Sequence, residues 1–476
     1  MSQIKKNLIY NVAYQILILI LPIITVPYVS RVLGADGIGT YSYTYSIIYY
    51  FMLVAMLGIN NYGNRTIAKN RDDKEKLSNN FFSIYAIQIF MTILMIIIYM
   101  AYINIFSNKY YNIAFIQIIQ LFSCIFDINW FFFGLEKFKI TVTRSTVLKL
   151  LSLILIFIFV RNADDIWIYT LILSSSTLIS QLLLIPFLYK EVQFTKVTFK
   201  NVSKHIKPCL VLFLPVIAVS LYRVMDKIML GKITGVTEVG YYEQAEKIIN
   251  IPMGIVTALG IVMLPRISNL VYKGDNESIL RYMEKSINFM MFLAFPICFG
   301  LMTISSDFIP IFLGDNFIKS STLIYYLSTT ILFMSFANVI RTQYLIPKEK
   351  DSIYVISLFA GAIINLIINY LLIPKYQSVG ACIGTIFAEF FVMLYQVIAV
   401  RKELPILKYI KDIRGFFIKS IVMFVITLSV KLLNLSPIVT IITQVLIGVL
   451  TYGLLNIKYV YDIINPAFNK HKKAQE

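Results

Sequence analysis

Runs of about twenty apolar residues recur along the whole chain, separated by short polar connectors. The first covers 8–28, others fall at 81–102 and 147–160, and similar runs continue to Tyr452. A helix needs about 20 apolar residues to cross a bilayer core. The pattern predicts about fourteen such helices, at 8–30, 41–62, 80–102, 112–134, 147–160, 166–188, 208–230, 243–265, 286–304, 319–342, 352–373, 380–400, 415–433 and 438–457. The connectors leave no room for an inserted soluble domain. The expected fold class is therefore an all-α polytopic membrane protein.

Composition supports the pattern. Of 476 residues, 58% are hydrophobic and 14% are charged, with mean hydropathy +0.75. Soluble domains carry roughly 25% charged residues. Lys5 and Lys6 ahead of an apolar run could open a signal peptide, but that run exceeds the ~7–15 residues of such a segment and ends in RVLGADG, so it reads as a retained first span.

The formal net charge of +18 would suit nucleic acid, but its placement argues otherwise. About 33 of the 43 Lys and Arg fall at the N-terminus (Lys5, Lys6) and in alternate connectors: 63–79, 135–149, 189–207, 266–285, 341–350, 401–419 and the tail from 458. The other connectors hold about ten. This positive-inside bias predicts both termini in the cytoplasm and a basic face turned to anionic lipid, with no nucleic-acid partner. Cys124, Cys209, Cys298 and Cys382 lie far apart in or beside apolar runs, and His205 and His471 are expected in charged loops. No spacing suggests a metal, a cofactor or thiol chemistry.

Two connectors repeat one another. RVLGADGIGTYS (31–42) joins spans 1 and 2, and KITGVTEVGYYE (232–243) joins spans 7 and 8. At an offset of 201, Gly34 aligns with Gly235, Gly39 with Gly240, Tyr41 with Tyr242 and Arg31 with Lys232. Arg65 aligns with Arg266 at the inner ends of spans 2 and 8, and Leu21-Pro22 corresponds to Leu214-Pro215 at an offset of 193. The main offset covers six spans, an even number, so the two halves enter the membrane in the same direction. An axis along the membrane normal would relate them, and in transporters built this way substrate binds between the halves. The expected domains are an N-lobe of spans 1–6 (1–207), a C-lobe of spans 7–12 (208–400), and spans 13 and 14 with a basic tail (401–476).

The stretches GIGTYS, DINWFFFGLEKFKITVTRS (127–145), YRVMDKIMLGKITGVTEVGYYEQAEKI (222–248) and NYLLIPKYQSVGACIGTIFAE (369–389) occur in that order. Together they resemble the bacterial flippases for lipid-linked polysaccharide units, within the multidrug/oligosaccharidyl-lipid/polysaccharide exporter superfamily. The resemblance runs from span 1 through span 12. It implies two six-helix lobes in a V around a central cavity, with two helices beside them, in the bacterial cytoplasmic membrane. It implies a transporter, not an enzyme, that moves an undecaprenyl-pyrophosphate-linked oligosaccharide from inner to outer leaflet by alternating access, serving capsule or O-antigen synthesis. A polysaccharide polymerase and a chain-length regulator are the implied partners.

A flippase must solvate a pyrophosphate and sugars where lipid cannot, and each intramembrane charge costs ~2.5–3.5 kcal/mol or more, so each is a candidate. Arg223, Asp226 and Lys227 in span 7 read as a phosphate handhold, with Asp226 positioning the bases or coupling an ion, or else as an internal salt bridge. Arg31 and Lys232 at the outer ends, and Arg65 and Arg266 at the inner ends, read as paired pyrophosphate contacts or as ordinary anchors. Gln117, Gln120, Ser123 and Asp127 share one expected helical face, either a cavity wall for sugar hydroxyls or interhelical glue. Asn365 and Asn369 favour glue. Glu389 is a candidate proton or sodium site, or a structural partner of a base. Arg341, Lys419 and Lys431 near helix ends are expected to snorkel. Pro22, Pro27, Pro215 and Pro252 are hinge candidates or static bends, and YSYTYSIIYY (41–50) reads as an interfacial aromatic belt in preference to a surface for stacking on sugar rings.

Two rival readings remain open. A cation-coupled multidrug exporter on the same fold would expect fewer phosphate-matching bases. A membrane glycan polymerase or glycosyltransferase would need a sizeable outer loop with paired Arg, carboxylates or a metal motif, and none stands in the short outer connectors.

Overall fold

The computed structural model describes residues 3–106 and 108–464. The side chains of Lys5 and Lys6, His471 and the tail beyond 464 lie outside the described residues. No strand occurs among the described residues. The helices in chain order are α1 (Gln3–Met56), α2 (Ile59–Asn70), α3 (Lys74–Phe106), α4 (Tyr111–Ser123), α5 (Asn129–Gly134), α6 (Phe138–Phe159), α7 (Ile166–Leu182), α8 (Ile185–Leu188) and α9 (Phe199–Ile233). They continue as α10 (Val236–Tyr272), α11 (Asn276–Leu313), α12 (Ile318–Leu327), α13 (Thr330–Ile340), α14 (Asp351–Tyr376), α15 (Ser378–Val400), α16 (Ile406–Ser429), α17 (Pro437–Leu455) and α18 (Ile457–Ile464). Among the described residues, twelve helices are long and apolar enough to cross a membrane, or thirteen if the bent pair Asp315–Leu327 and Thr330–Leu345 counts as one span. The stretch Leu21–Asn70 carries both of the first two expected spans, divided at Gly34, whose φ of 66° and ψ of −178° interrupt α1.

The helices outrun the apolar runs, mostly at their basic ends. α9 begins at 199 rather than 208, α6 at 138 rather than 147, α11 at 276 rather than 286 and α16 at 406 rather than 415. Hydropathy marks only the hydrocarbon slab, while backbone hydrogen bonding carries a helix on through Lys- and Arg-rich turns. Thr198 shows how: its hydroxyl accepts from Asn201 N at 3.3 Å and caps α9. His205 therefore sits in a helix rather than a loop, 3% exposed, with Nδ1 2.7 Å from the Tyr62 hydroxyl.

The chain divides into two compact units, Met1–Glu243 with Asn369–Ser378, and Gln244–Ile368 with Val379–Glu476. The first is built around a buried aromatic cluster of Phe81, Trp130, Phe131 and Phe132, with Trp130 stacked on Phe81 at 5.5 Å. The expected fourth span, 112–134, is broken at 124–128. Carbonyls freed inside a membrane span must find donors. Gln88 of α3 supplies them: its amide donates to Cys124 O at 2.6 Å and Asp127 O at 3.0 Å, while its Oε1 accepts from Trp130 Nε1 at 3.0 Å.

In the second unit α11 is the hub, flanked by α12, α13, α16 and α17. An apolar cleft of about 490 Å³ lies along it, lined by residues that include Phe292, Pro296, Gly300, Met423, Gly448 and Tyr452. A π turn, Arg341–Leu345, follows α13. The Tyr344 hydroxyl of this turn and Lys350 beyond it both donate to the Glu403 carboxylate, and Lys350 first, then Tyr344, holds that carboxyl below its ordinary pKa.

Gly63 lies against the Trp130 ring, where a Cβ would sit 2.8 Å from Cδ2 and closer still to Cε3. Overpacking of this kind costs ~1–3 kcal/mol. Gly63→Ala is expected to lower the thermal midpoint in detergent, whereas Gly300→Ala, with nothing within 4 Å of its Cβ, is not. Equal midpoints for the two variants would contradict this packing.

Candidate functional site

The repeated connectors meet in the first unit. Each has a glycine at the turn between its two helices: Gly34 has φ 66° and Gly235 has φ 108°, backbone that L-residues with a Cβ rarely adopt. The chain thereby re-enters a helix at once, so residues 35–40 and 236–242 are helical where a loop was expected.

The second glycine of each repeat serves a steric purpose. A Cβ on Gly39 would overlap the carbonyl of Val236, and a Cβ on Gly240 would overlap the carbonyl of Ala35. Val236 is the repeat mate of Ala35, as Gly240 is of Gly39. The contact is reciprocal, residue i touching j while its mate touches the mate of j, as in an isologous interface. Asp36 accepts a hydrogen bond from Thr237, and Ser42 Oγ donates to Glu243 Oε2 at 2.8 Å. Both pairs are 201 residues apart, the repeat offset itself.

This clasp continues into the span-7 charges. Lys227 Nζ lies 2.7 Å from Glu243 Oε2, the same oxygen that accepts from Ser42. The two side chains are 14% and 15% exposed. Asp226 is 1% exposed and accepts from the Tyr242 hydroxyl at 2.8 Å and Asn369 Nδ2 at 2.6 Å. One turn back, Arg223 is exposed and lies within electrostatic reach of Tyr49. Glu238, also buried, accepts from Ser378 N at 3.2 Å and Ser378 Oγ at 2.5 Å.

The other expected site residues divide between exposed cations and buried amides. Arg31, Lys232 and Arg65 are exposed in the first unit. Gln117 and Gln120 are buried, with amides donating to Tyr41 O at 3.2 Å and Ser174 Oγ at 3.0 Å, an arrangement that favours glue between helices. Asp127 does not extend their face: α4 ends at Ser123, and Asp127 turns to accept from Asn129 N at 3.2 Å and Asn129 Nδ2 at 2.7 Å. In the second unit Arg266 is exposed, its guanidinium 4.3 Å from the Tyr282 ring centroid, and Glu389 is buried in α15. Arg341 lies 5.4 Å from the Tyr354 centroid, Lys419 donates to Asn456 at 3.1 Å, and Lys431 pairs with Asp307 at 3.2 Å. Pro22 and Pro27 fall inside α1, Pro215 inside α9 and Pro252 inside α10.

Two features went unread in the sequence. Glu243 was legible, since the alignment that pairs the glycines also pairs Ser42 with Glu243. Arg144 carried no such signal. The charge pattern puts it in a basic connector, but it stands in α6, and its guanidinium donates to Ser180 O and to Asn129 Oδ1, the latter at 2.9 Å.

Among solved structures, the fold matches the lipid II flippase MurJ in an inward closed conformation, with TM-score 0.77, 16% identity, and coverage of 96% of this chain and 99% of that one. An inward-facing multidrug resistance MATE transporter matches with TM-score 0.61, 13% identity, and coverage of 82% and 99%. The protein is thus a polytopic helical membrane protein of the fold those transporters share. The chain belongs to the family described as polysaccharide biosynthesis protein, which matches residues 4–271; the MatE family matches 212–371. A protein of Escherichia coli (strain K12) named "Putative O-antigen transporter" is 26% identical over 84% of this chain and 97% of its own length. The lipid II flippase MurJ of Bacillus subtilis is 25% identical over 33% of this chain and 29% of its own.

Gly39→Ala and Gly240→Ala each push the same two backbone segments apart, at ~1–3 kcal/mol apiece. The first opens the space the second needs, so the double variant is expected to lose less stability than the sum of the singles. Thermal unfolding of the four proteins in one detergent reads this directly; strictly additive losses would mean that the two contacts are independent.

Proposed function

We propose that the protein is a flippase that carries undecaprenyl-pyrophosphate-linked oligosaccharide repeat units from the inner to the outer leaflet of the cytoplasmic membrane, for capsule or O-antigen-type polysaccharide synthesis. The observation that carries this reading is the Lys227–Glu243 pair, set inside a chain of the polysaccharide biosynthesis protein family. A buried cation is expensive in a membrane span unless something neutralises it. Here an internal carboxylate does so while also accepting from Ser42 of the clasp. A pyrophosphate arriving at Lys227 competes with Glu243 for the ammonium group, and freeing Glu243 loosens its hold on Ser42. Binding of the anion is in this way linked to opening of the clasp, the differential contact that alternating access requires.

The reciprocal contact supports a pseudo-two-fold relation between lobes 1–207 and 208–400, with 401–476 outside it. Arg31, Arg65, Arg223, Lys232 and Arg266 are the further cations proposed to receive the pyrophosphate, and Asp226 and Glu389 are the carboxylates proposed for ion coupling. The distribution of Lys and Arg supports cytoplasmic termini. A second reading, a cation-coupled multidrug exporter, draws on the MatE match and the MATE-like fold.

Deleting the gene is expected to strand a lipid-linked precursor on the inner leaflet; unchanged precursor pools, with drug sensitivity instead, would favour the exporter. Binding of undecaprenyl pyrophosphate to the purified protein should respond to the ion pair with opposite signs. Lys227→Gln weakens it about ten-fold or more, as loss of a charge-assisted bond does, while Glu243→Gln strengthens it by removing the competitor. A purely structural pair would leave binding unchanged in both variants. The inner cations have their own test in cells: Arg65→Gln with Arg266→Gln should reduce export at normal protein level, and full export in the double variant would remove them from the path.

A further inference from the structure

Within the stretch YSYTYSIIYY, Tyr41, Tyr45 and Tyr49 climb one face of α1 by about 12 Å. Tyr41 and Tyr45 are parallel, with centroids 5.8 Å apart and planes inclined by 10°, and Tyr49 follows 6.3 Å from Tyr45 with its plane tilted by 45°. Tyr169 meets Tyr41 edge-on at 5.1 Å. Tyr45 and Tyr49 each pack one side against the aromatic core of the first unit, and the remaining tyrosines of the stretch are held more fully. Tyr43 covers Gly231 and meets Tyr110 edge-on at 5.9 Å, and the Tyr50 hydroxyl donates to Ser220 O at 3.1 Å. Tyr45 and Tyr49 stay half-buried, and among the described residues their hydroxyls have no hydrogen-bond partner.

Charges flank this ladder. Lys227 and Glu243 are within electrostatic reach of Tyr45, and Arg223 is within reach of Tyr49. A row of rigid rings beside ionic and hydroxyl groups is the chemistry that recognises a sugar chain. Pyranoses pack their C–H faces on aromatic rings and offer hydroxyls to carboxylates, ammonium groups and phenols. A hydrocarbon tail would need no charges, and a bare pyrophosphate would need no rings. The rung spacing is close to the length of one sugar residue.

We propose that Tyr45 and Tyr49, continued by Tyr41, form a carbohydrate-stacking ladder that holds the glycan of the substrate beside the Lys227–Glu243 phosphate site. This deepens the flippase reading and rests on it. The ladder contributes selectivity for lipids that carry sugar, while the cations hold any pyrophosphate lipid.

The test compares two probes on the purified full-length protein: undecaprenyl pyrophosphate without sugar, and the lipid-linked precursor extracted from cells deleted for the gene. The wild type is expected to bind the precursor more tightly. Tyr45→Leu and Tyr49→Leu should each reduce that preference roughly three- to ten-fold, leaving affinity for the bare lipid as it was. Tyr45→Phe, which keeps the ring, should retain most of the preference. If both probes lose affinity equally in the Leu variants, or if Leu and Phe variants behave alike, the ladder is packing and the proposal fails while the flippase reading stands. If the wild type binds neither probe, the flippase reading itself fails. Thermal midpoints of each variant separate loss of binding from loss of folding.

Discussion

Two backbone segments pressed together at Gly39 and Gly240 are the constraint on which the candidate site depends. Helices approach this closely only where side chains are withheld, and the contact is gained without burying new apolar surface, which a membrane does not reward. Van der Waals contact and hydrogen bonds must do the holding. Asp36–Thr237 and Ser42–Glu243 supply the second of these at either end of the glycine contact. Once it is set, Lys227, Asp226 and the tyrosine face of α1 have their places.

The repeat explains why one short phrase is said twice in the chain. Gly34 and Gly235 are needed for backbone angle, Gly39 and Gly240 for space, and the two needs fall five residues apart in both copies. A single such loop could be satisfied by many partners. Two that must satisfy each other leave few alternatives at those positions, and Ser42 and Glu243 show how the pair can differ chemically while keeping its geometry. The internal carboxylate of Glu243 neutralises Lys227 from within.

The spans were legible because their signal is a large, local excess of apolar residues. Their true lengths were not, since α9, α11 and α16 carry on through basic turns that the hydropathy pattern excludes. The break at 124–128 was hidden because Cys124, Ile125 and Phe126 are as apolar as a helix interior, and the capping Gln88 lies 36 residues earlier than the nearer carbonyl it serves. His205 was misplaced for the same reason as the helix starts: its neighbours are charged, yet the backbone there is helical. The repeated glycines were readable from the chain alone, and the structure gives each its reason. Gln117 and Gln120 were read correctly as sharing a face, but only the fold assigns their amides to Tyr41 and Ser174. The tyrosine run was visible as composition, while the row of Tyr41, Tyr45 and Tyr49 along one side follows from α1 being helical through them.

Gln88 illustrates how narrow the choices become inside such a bundle. One terminal amide gives hydrogen bonds to two carbonyls and takes one from an indole. The position asks for a group that donates and accepts at the same end of a long stem, which a carboxylate, an ammonium group or a hydrocarbon cannot do. A broken helix, a buried tryptophan and the neighbouring helix therefore share a single chemical dependency, located far from any charge that a search for function would notice.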